Sequence, residues 1–181
     1  DEVIEVGTIV IDGNRIAAIG ASSEITVPDG AEVIDAAGKT IMPGMVDAHA
    51  HAMHFFGGLL PNQNWAYYAN LAFGVTSMHD PSANTETAFM QSEMVRAGKM
   101  VGPRVFSTGT ILYGADGDFK AVVNSIDDAR SHLRRMKAVG AFSVKSYNQP
   151  RRDQRQQILK AAREECAHSV DFPKPDIKYI P

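Results

Sequence analysis

The chain has little cysteine and no long apolar run, and these two shortages exclude several classes of protein. Cys166 is the single cysteine among 181 residues, so an internal disulfide framework cannot form. No apolar run approaches the roughly 18 residues that a membrane helix needs. The start at Asp1 shows no basic stretch followed by an apolar one, so no signal peptide is visible. The compartment stays open between the cytoplasm and the periplasm or exterior, because a signal could precede Asp1.

The chain also lacks an excess of charge of either sign. Its 18 Lys and Arg residues face 21 Asp and Glu residues, which gives a net charge of −3. This balance offers no electrostatic reason to expect nucleic acid or an anionic membrane surface as a partner. No Gly-x-Gly-x-x-Gly motif follows a predicted strand, which argues against a dinucleotide-binding sheet. The 44% of hydrophobic residues are enough for one sizeable core.

Residues 1–44 are predicted to form a small antiparallel sheet or β-sandwich segment. Short β-branched runs alternate there with turn signals, of which Asp12-Gly13-Asn14 is the clearest. Several strands separated by tight turns are typical of a small sandwich. The predicted strands cover residues 3–6, 8–11, 15–20, 32–35 and 40–42.

From Met45 onward the pattern changes to strand, loop and helix, which predicts βα units with parallel strands. The predicted strands are 45–49, 75–78, 104–107 and 142–145. The predicted helices cover about 63–73, 85–97, a stretch from the capping residue Ser125 to Gly140, and a stretch after Pro150 that places Leu159, Ala162 and Cys166 on one face.

The length of this second region favours half of a closed barrel. Residues 45–168 number 124, and an eight-unit (β/α)₈ barrel takes about 250 residues, or about 31 per unit. We therefore predict a partial (β/α)₈ TIM-type barrel of about four βα units over residues 45–170. The proline-rich segment 171–181 is predicted to be an irregular tail.

The strongest chemical signal is the pair of histidines at the end of the first predicted barrel strand. His49 and His51 are one residue apart in Asp47-Ala48-His49-Ala50-His51, so both side chains point to the same side of the strand. Barrel enzymes keep their active sites beyond the carboxyl ends of the strands. Imidazole is a ligand for zinc, iron and nickel. The motif therefore predicts that His49 and His51 bind a divalent cation.

These motifs resemble the amidohydrolase superfamily of metal-dependent hydrolases. The resemblance rests on GTIVIDGNRIAAIG at 7–20, IDAAGKTIMPG at 34–44, the histidine pair, and GVTSMHD at 74–80. It implies a (β/α)₈ barrel with a small β-sandwich, and a C–N bond hydrolase that uses a metal-activated water, and it favours zinc as the divalent cation. Residues 84–148 look closest to the imidazolonepropionase-like and dipeptidase-like branch, which includes members fused to a TolB-type propeller.

The resemblance also assigns a role to Lys145, at the end of the fourth predicted strand. In the family, a lysine at this place is carboxylated by CO₂ and bridges two metal ions. A structural lysine beside a single-metal site of the deaminase type is the alternative reading. The family completes its site with histidines after strands 5 and 6 and an aspartate after strand 8. The sequence stops after the fourth helix, so we expect this chain alone to fold poorly or self-associate and not to turn over substrate.

Weaker candidates for contacts with substrate lie at the same predicted rim. His79 and Asp80 close the second predicted strand, where they could orient substrate or support the ligands. Tyr113 and Tyr147 follow the third and fourth strands, and either hydroxyl could polarise a carbonyl. His54 either lines the mouth of the site or has no ligand role.

Three functional hypotheses follow from the sequence. The first is a hydrolase of small cyclic amides, N-acyl compounds or dipeptides that holds one or two divalent ions. The second is a mononuclear deaminase or imidazolone hydrolase. The third is a binding or assembly module without catalysis, which would form homo-oligomers through its exposed strand edges.

Overall fold

The computed structural model describes residues 3–54, 60–117, 120–167 and 179–180. The chain divides into two compact units, Asp1–Met42 and Pro43–Pro181. Within the described residues, no helix combines the length and the apolar character that a membrane crossing requires. The candidate site lies entirely in the second unit.

The first unit contains one antiparallel hairpin. Strand β1 (Gly7–Asp12) pairs with β2 (Arg15–Ala21), and the register slips once between Val10 and Ile11. Gly13 has φ of +58° in the connecting turn, a conformation that favours glycine. The hairpin that the sequence predicts over 8–11 and 15–20 is therefore confirmed.

The other strands predicted in the first unit are not formed. Residues 3–6, 32–35 and 40–42 carry no strand in the structure. Val33 and Ile34 are 75% and 83% exposed, so these β-branched side chains find no packing surface. A strand needs a neighbouring backbone for its hydrogen bonds, and the described part of this unit supplies none beyond the hairpin. The β-sandwich is therefore not confirmed.

The second unit begins with a parallel sheet of three strands in the order β3-β4-β5. These strands are β3 (Met45–Asp47), β4 (Val75–Asp80) and β5 (Arg104–Ser107). Helices α1 (Trp65–Ala72) and α2 (Thr85–Arg96) connect them. Parallel pairing with helical crossovers confirms the predicted alternation of strands and helices up to Ser107.

The fourth predicted strand does not extend this sheet. Strand β6 (Ile111–Tyr113) pairs in parallel with β7 (Lys120–Val122), and helix α3 (Ile126–Ala138) follows. Strand β8 (Val144–Lys145) is two residues long and lies beside β6 through a bridge between Leu112 and Ser146. The predicted four-unit barrel segment is therefore not confirmed as one continuous sheet.

The chain ends with helix α4 (Arg152–Ala167) and strand β9 (Tyr179–Ile180), which pairs in parallel with β8. The sequence predicts an irregular tail over 171–181. The structure differs from this prediction at β9, because the backbone of Tyr179–Ile180 forms parallel strand pairing with β8. The rest of that segment lies outside the described residues.

Among the residues that the structure describes, two apolar clusters support the strands. One joins Tyr67 of α1 to Met78 and Val105 of the sheet, with Met100. The other lies between α3, α4 and the short strands β6 and β8, and includes Leu112, Leu133, Val144 and Ile158. The Ser125 and Asp128 side chains close a reciprocal capping box at the start of α3, which confirms the predicted N-cap.

The buried face of α4 contains the predicted Ala162 but is otherwise shifted from the predicted face. Ile158 is fully buried and Leu159 only half-buried, so the inward face runs through Ile158, Ala161, Ala162 and Glu165. These positions follow an i, i+3, i+4, i+7 spacing. The buried face is shifted by one residue along the helix because α3 packs on this side of α4. Arg134 Nη2 of α3 lies 2.9 Å from Glu165 Oε1 there. The side chain of Cys166 lies outside the described residues.

Candidate metal centre

The candidate site lies where β3 and β4 end. His49 and His51 follow the last residue of β3 by two and four positions. The backbone N–H of His49 donates to Asp47 Oδ1 at 3.0 Å, which forms a tight turn after the strand. The backbone N–H of Ala50 donates to the carbonyl of His79 at 2.9 Å. These two bonds hold the histidine segment against β4.

The carboxylate of Asp80, the last residue of β4, contacts the side chains of His51 and His54. The Asp80 side chain is 1% exposed. Oδ1 lies 3.0 Å from His51 Nδ1, and Oδ2 lies 3.0 Å from His54 Nε2. The backbone N–H groups of Ala52 and Ser82 also donate to this carboxylate, at 3.2 Å and 3.0 Å. A buried carboxylate with four donors is well compensated for its loss of water.

His54 belongs to the buried support of the site rather than to its mouth. It is 5% exposed, and its Nδ1 lies 2.9 Å from the hydroxyl of Tyr67. The Gln91 amide donates to its backbone carbonyl, and Asn64 in turn donates to Gln91 Oε1 at 3.1 Å. Sequence reasoning missed Tyr67, Asn64 and Gln91, because nothing in their local sequence distinguishes them from ordinary helix residues.

The histidine pair fits two ligand positions of a cation site. The His49 and His51 rings have centroids 5.2 Å apart and lie nearly perpendicular, and both residues are exposed. Because His51 Nδ1 is hydrogen-bonded to Asp80, the nitrogen of His51 that can bind a ligand is Nε2. A carboxylate behind a histidine is the arrangement that orients zinc-binding imidazoles. Among the described residues, no group of three or more His, Cys, Asp and Glu side chains is placed to hold a metal.

His79 is a predicted substrate contact that the structure buries. Its Nε2 lies 2.7 Å from Ser143 Oγ, and its Nδ1 is buried without a hydrogen-bond partner in the described part of the chain. Burial lowers the pKa of His79, and the charge of His49 adds to this effect. The backbone of Ala48 and the carboxylate of Asp80 act in the opposite direction. The neutral imidazole is therefore favoured.

Tyr113 and Tyr147, the other two predicted substrate contacts, lie next to each other. Their ring centroids are 5.8 Å apart. The ammonium of Lys120 lies 4.4 Å from the centroid of Tyr113 and 5.5 Å from that of Tyr147. Cation–π attraction stabilises this grouping. No sequence motif predicts this position of Lys120, which begins strand β7 beside β6.

Lys145 is half-buried in β8, two residues after Ser143. Side chains two apart in extended backbone share a face, and the hydroxyl of Ser143 contacts His79. Lys145 is therefore expected on the same face of its strand as Ser143. Its convergence with His49 and His51 on one cation stays a prediction.

Comparisons with known proteins give several relatives, although no protein-family model matches the chain. A 5-methylthioadenosine/S-adenosylhomocysteine deaminase of Nitratidesulfovibrio vulgaris is 32% identical over 155 residues, which cover 82% of this chain and 32% of the relative. An imidazolonepropionase of Streptomyces griseus is 45% identical over 49 residues, which cover 27% of this chain and 12% of the relative.

Solved structures agree with these relatives. A prolidase in complex with N-methylphosphonate-L-proline matches with a TM-score of 0.65 and 25% identity, over 87% of this chain and 48% of that one. The chain spans a third or less of the length of the curated relatives named above, and about half of the matched structure.

Proposed function

Because the chain belongs to the amidohydrolase superfamily, we propose that it carries part of the active site of a metal-dependent hydrolase of C–N bonds. The observation that carries this proposal is the His49–His51 pair at the end of β3, with Asp80 bonded to Nδ1 of His51. The names of the relatives, a deaminase, an imidazolonepropionase and a prolidase, are consistent with that class of reaction.

In this proposal the two imidazoles hold a divalent cation, with zinc as the first choice because it accepts imidazole readily. When bound, such a cation lowers the pKa of a water molecule toward neutrality and polarises the scissile carbonyl. His51 presents Nε2, and Asp80 keeps its ring in place through Nδ1. The buried partners of Asp80 prevent the carboxylate from turning toward solvent.

Lys145 is proposed as a further metal ligand. It follows Ser143, which contacts His79 of β4, by two residues, and this spacing favours the same face of the strand for both side chains. A lysine carboxylated by CO₂ would supply two oxygens in place of an ammonium and could bridge two ions. Its neighbours in β8 and β9 hold the backbone in extended form.

The proposed substrate is a small molecule with an amide or cyclic amide, such as an N-acyl compound or a dipeptide. Tyr113 is the last residue of β6 and Tyr147 follows β8 by two residues, and their hydroxyls are suited to donate to a carbonyl oxygen. Tyr147 is 42% exposed, so a ligand can reach it. His79 is buried, and we propose that it supports the substrate side of the site through its hydrogen bond with Ser143.

A deaminase with one metal ion is the second candidate, and the match to a deaminase over 82% of this chain favours it. In that case Lys145 is not a ligand. A crystal structure distinguishes the two candidates, because a carboxylated Lys145 shows extra density beyond Nζ and an unmodified lysine does not.

The proposal is tested by elemental analysis of the purified chain after incubation with zinc and gel filtration. We expect bound zinc in the wild type and none in the double variant His49→Gln/His51→Gln, which keeps polarity and removes both imidazoles. Gln63→Ala, a change at an exposed residue, serves as the control. Equal zinc in the double variant and the control would refute the assignment.

A further inference from the structure

Asp80 is the shared acceptor of two histidines, and this fixes where their protons lie. An ionised carboxylate has oxygen lone pairs and no proton to donate. His51 Nδ1 and His54 Nε2 both lie 3.0 Å from its oxygens, so both of these nitrogens carry the hydrogen. The carboxylate therefore selects opposite tautomers in the two rings.

The consequence for His51 is that its other nitrogen is free of a proton. A neutral imidazole protonated at Nδ1 has its lone pair on Nε2. The side chain of His51 is 55% exposed, so this lone pair can be reached from solvent. A neutral imidazole with an available nitrogen is the form that binds metals.

The consequence for His54 is that its Nδ1 must accept a hydrogen bond. The only group at that nitrogen among the described residues is the hydroxyl of Tyr67, 2.9 Å away. Burial and the nearby charge of Asp80 raise the pKa of Tyr67 far above its ordinary value, so the hydroxyl keeps its proton and can donate. The hydrogen bonds from Tyr67 to His54, from His54 to Asp80 and from His51 to Asp80 therefore all run toward the carboxylate.

We propose that Tyr67, His54 and Asp80 form a directed hydrogen-bond chain that fixes the tautomer of His51 and keeps its Nε2 lone pair available to a ligand. Asp80 is a positioning residue in this chain, because it acts through His51. That the ligand is a divalent cation rests on the proposed function, whereas the tautomer does not.

Neighbouring groups hold this hydrogen-bond chain in one geometry. The backbone N–H groups of Ala52 and Ser82 fix the orientation of the Asp80 carboxylate. Gln91 binds the carbonyl of His54, and Tyr67 is fully buried in the cluster beneath β4. Because each member is buried and bonded, its rotation would leave unsatisfied polar groups.

The direct test is a long-range ¹H–¹⁵N spectrum of the metal-free chain with labelled histidine, at a pH where free imidazole is neutral. We expect His51 to be protonated at Nδ1 and His54 at Nε2. A His51 protonated at Nε2, or a His54 protonated at both nitrogens, would overturn the proposal. This test needs no variant, so it does not depend on how well a variant folds.

The role of Tyr67, at the far end of the hydrogen-bond chain from His51, is tested by the variant Tyr67→Phe. The matched control is Tyr68→Phe on the same helix. Tyr68 is 46% exposed and its hydroxyl bonds to Gln63, away from the histidines. We expect Tyr67→Phe to move the Nδ1 resonance of His54 toward that of a nitrogen without a hydrogen bond. An equal spectrum in both variants would overturn the proposal.

The effect on the ligand is measured by zinc titration of the wild type and of Asp80→Asn. Loss of such a supporting carboxylate reduces metal affinity by about 10–100-fold, and we expect a decrease of this size with a mixed tautomer at His51. Unchanged affinity and tautomer would contradict the role of Asp80. A wild type with the expected tautomers that binds no zinc would refute the proposed function and leave the hydrogen-bond chain standing.

Discussion

His79 Nε2 and Ser143 Oγ lie 2.7 Å apart, although 64 positions separate the two residues in the sequence. The bond joins β4, in the three-stranded sheet, to the approach of β8, which is not hydrogen-bonded to that sheet. It is therefore a side-chain link between the histidine end of the candidate site and the strand that carries Lys145.

Ser143→Ala should destabilise the chain by about 1–3 kcal/mol, the cost of leaving a buried polar group unsatisfied. Both residues are buried, and Ser143 Oγ is the hydrogen-bond partner of His79 Nε2, so the variant leaves that nitrogen without its partner. Urea denaturation measures the change. Ser131→Ala, at an exposed position of α3, should stay within about 0.5 kcal/mol of the wild type. Equal stability of the two variants would show that the hydrogen bond between His79 and Ser143 does not contribute to the free energy of unfolding.

Stability should fall as the pH decreases below about 6.5, the ordinary pKa of histidine. Burial lowers the pKa of His132 in the folded chain, and the charge of Arg135 adds to the effect, while the backbone of Thr110 opposes it. Below pH 6.5 the unfolded chain therefore binds protons that the folded chain does not, so the free energy of unfolding decreases with decreasing pH. His79 contributes in the same direction.

The variant His132→Gln isolates one of these groups. Glutamine can still donate to the carbonyl of Thr110, which His132 Nε2 contacts at 2.9 Å, and it does not titrate. We expect a weaker dependence of the urea midpoint on pH between about 7 and 5.5 than in the wild type. An identical or steeper dependence in the variant would contradict the assignment.

Ile158→Ala should cost about 2–5 kcal/mol, because it empties a fully buried site between α3 and α4. Leu159→Ala removes a side chain of the same size from the next position, which is only half-buried, and should cost less. Urea denaturation of both variants compares them directly. A larger loss in Leu159→Ala would restore the helix face that the sequence predicts and contradict the structure.

The sequence predicts those elements whose signals are local. The turn at Asp12-Gly13-Asn14 and the capping box between Ser125 and Asp128 appear as predicted, because each needs only neighbouring residues. Strands β4 and β5 were also predictable, since a β-branched or aromatic run precedes a helical period in both.

Elements that depend on distant partners were not predictable. Residues 32–35 have a β-branched pattern but no strand beside them in the described structure, so the pattern does not become a strand. Strands β6 and β7 have three residues each, which is shorter than the runs that give a periodic signal. The face of α4 is set by packing on α3, and a one-residue phase shift is invisible in the sequence.

The candidate site shows the same division. His49 and His51 stand out because a histidine pair separated by one residue after a strand is a local signal, whereas Asp80, together with His79, is a weaker candidate at the end of the next strand. Tyr67 could not be recognised as the partner of His54, nor His54 as the partner of Asp80, because these contacts form only when the residues pack beneath β4.

The proposed function depends most directly on where a cation binds. The decisive measurement is a crystal structure of the chain grown with zinc, with anomalous data collected at the zinc edge. We predict a peak about 2.0–2.1 Å from a ring nitrogen of His49 and from Nε2 of His51, with the Lys145 side chain directed to the same ion. A peak bound elsewhere, or a Lys145 amine at the opposite end of its strand, would contradict it.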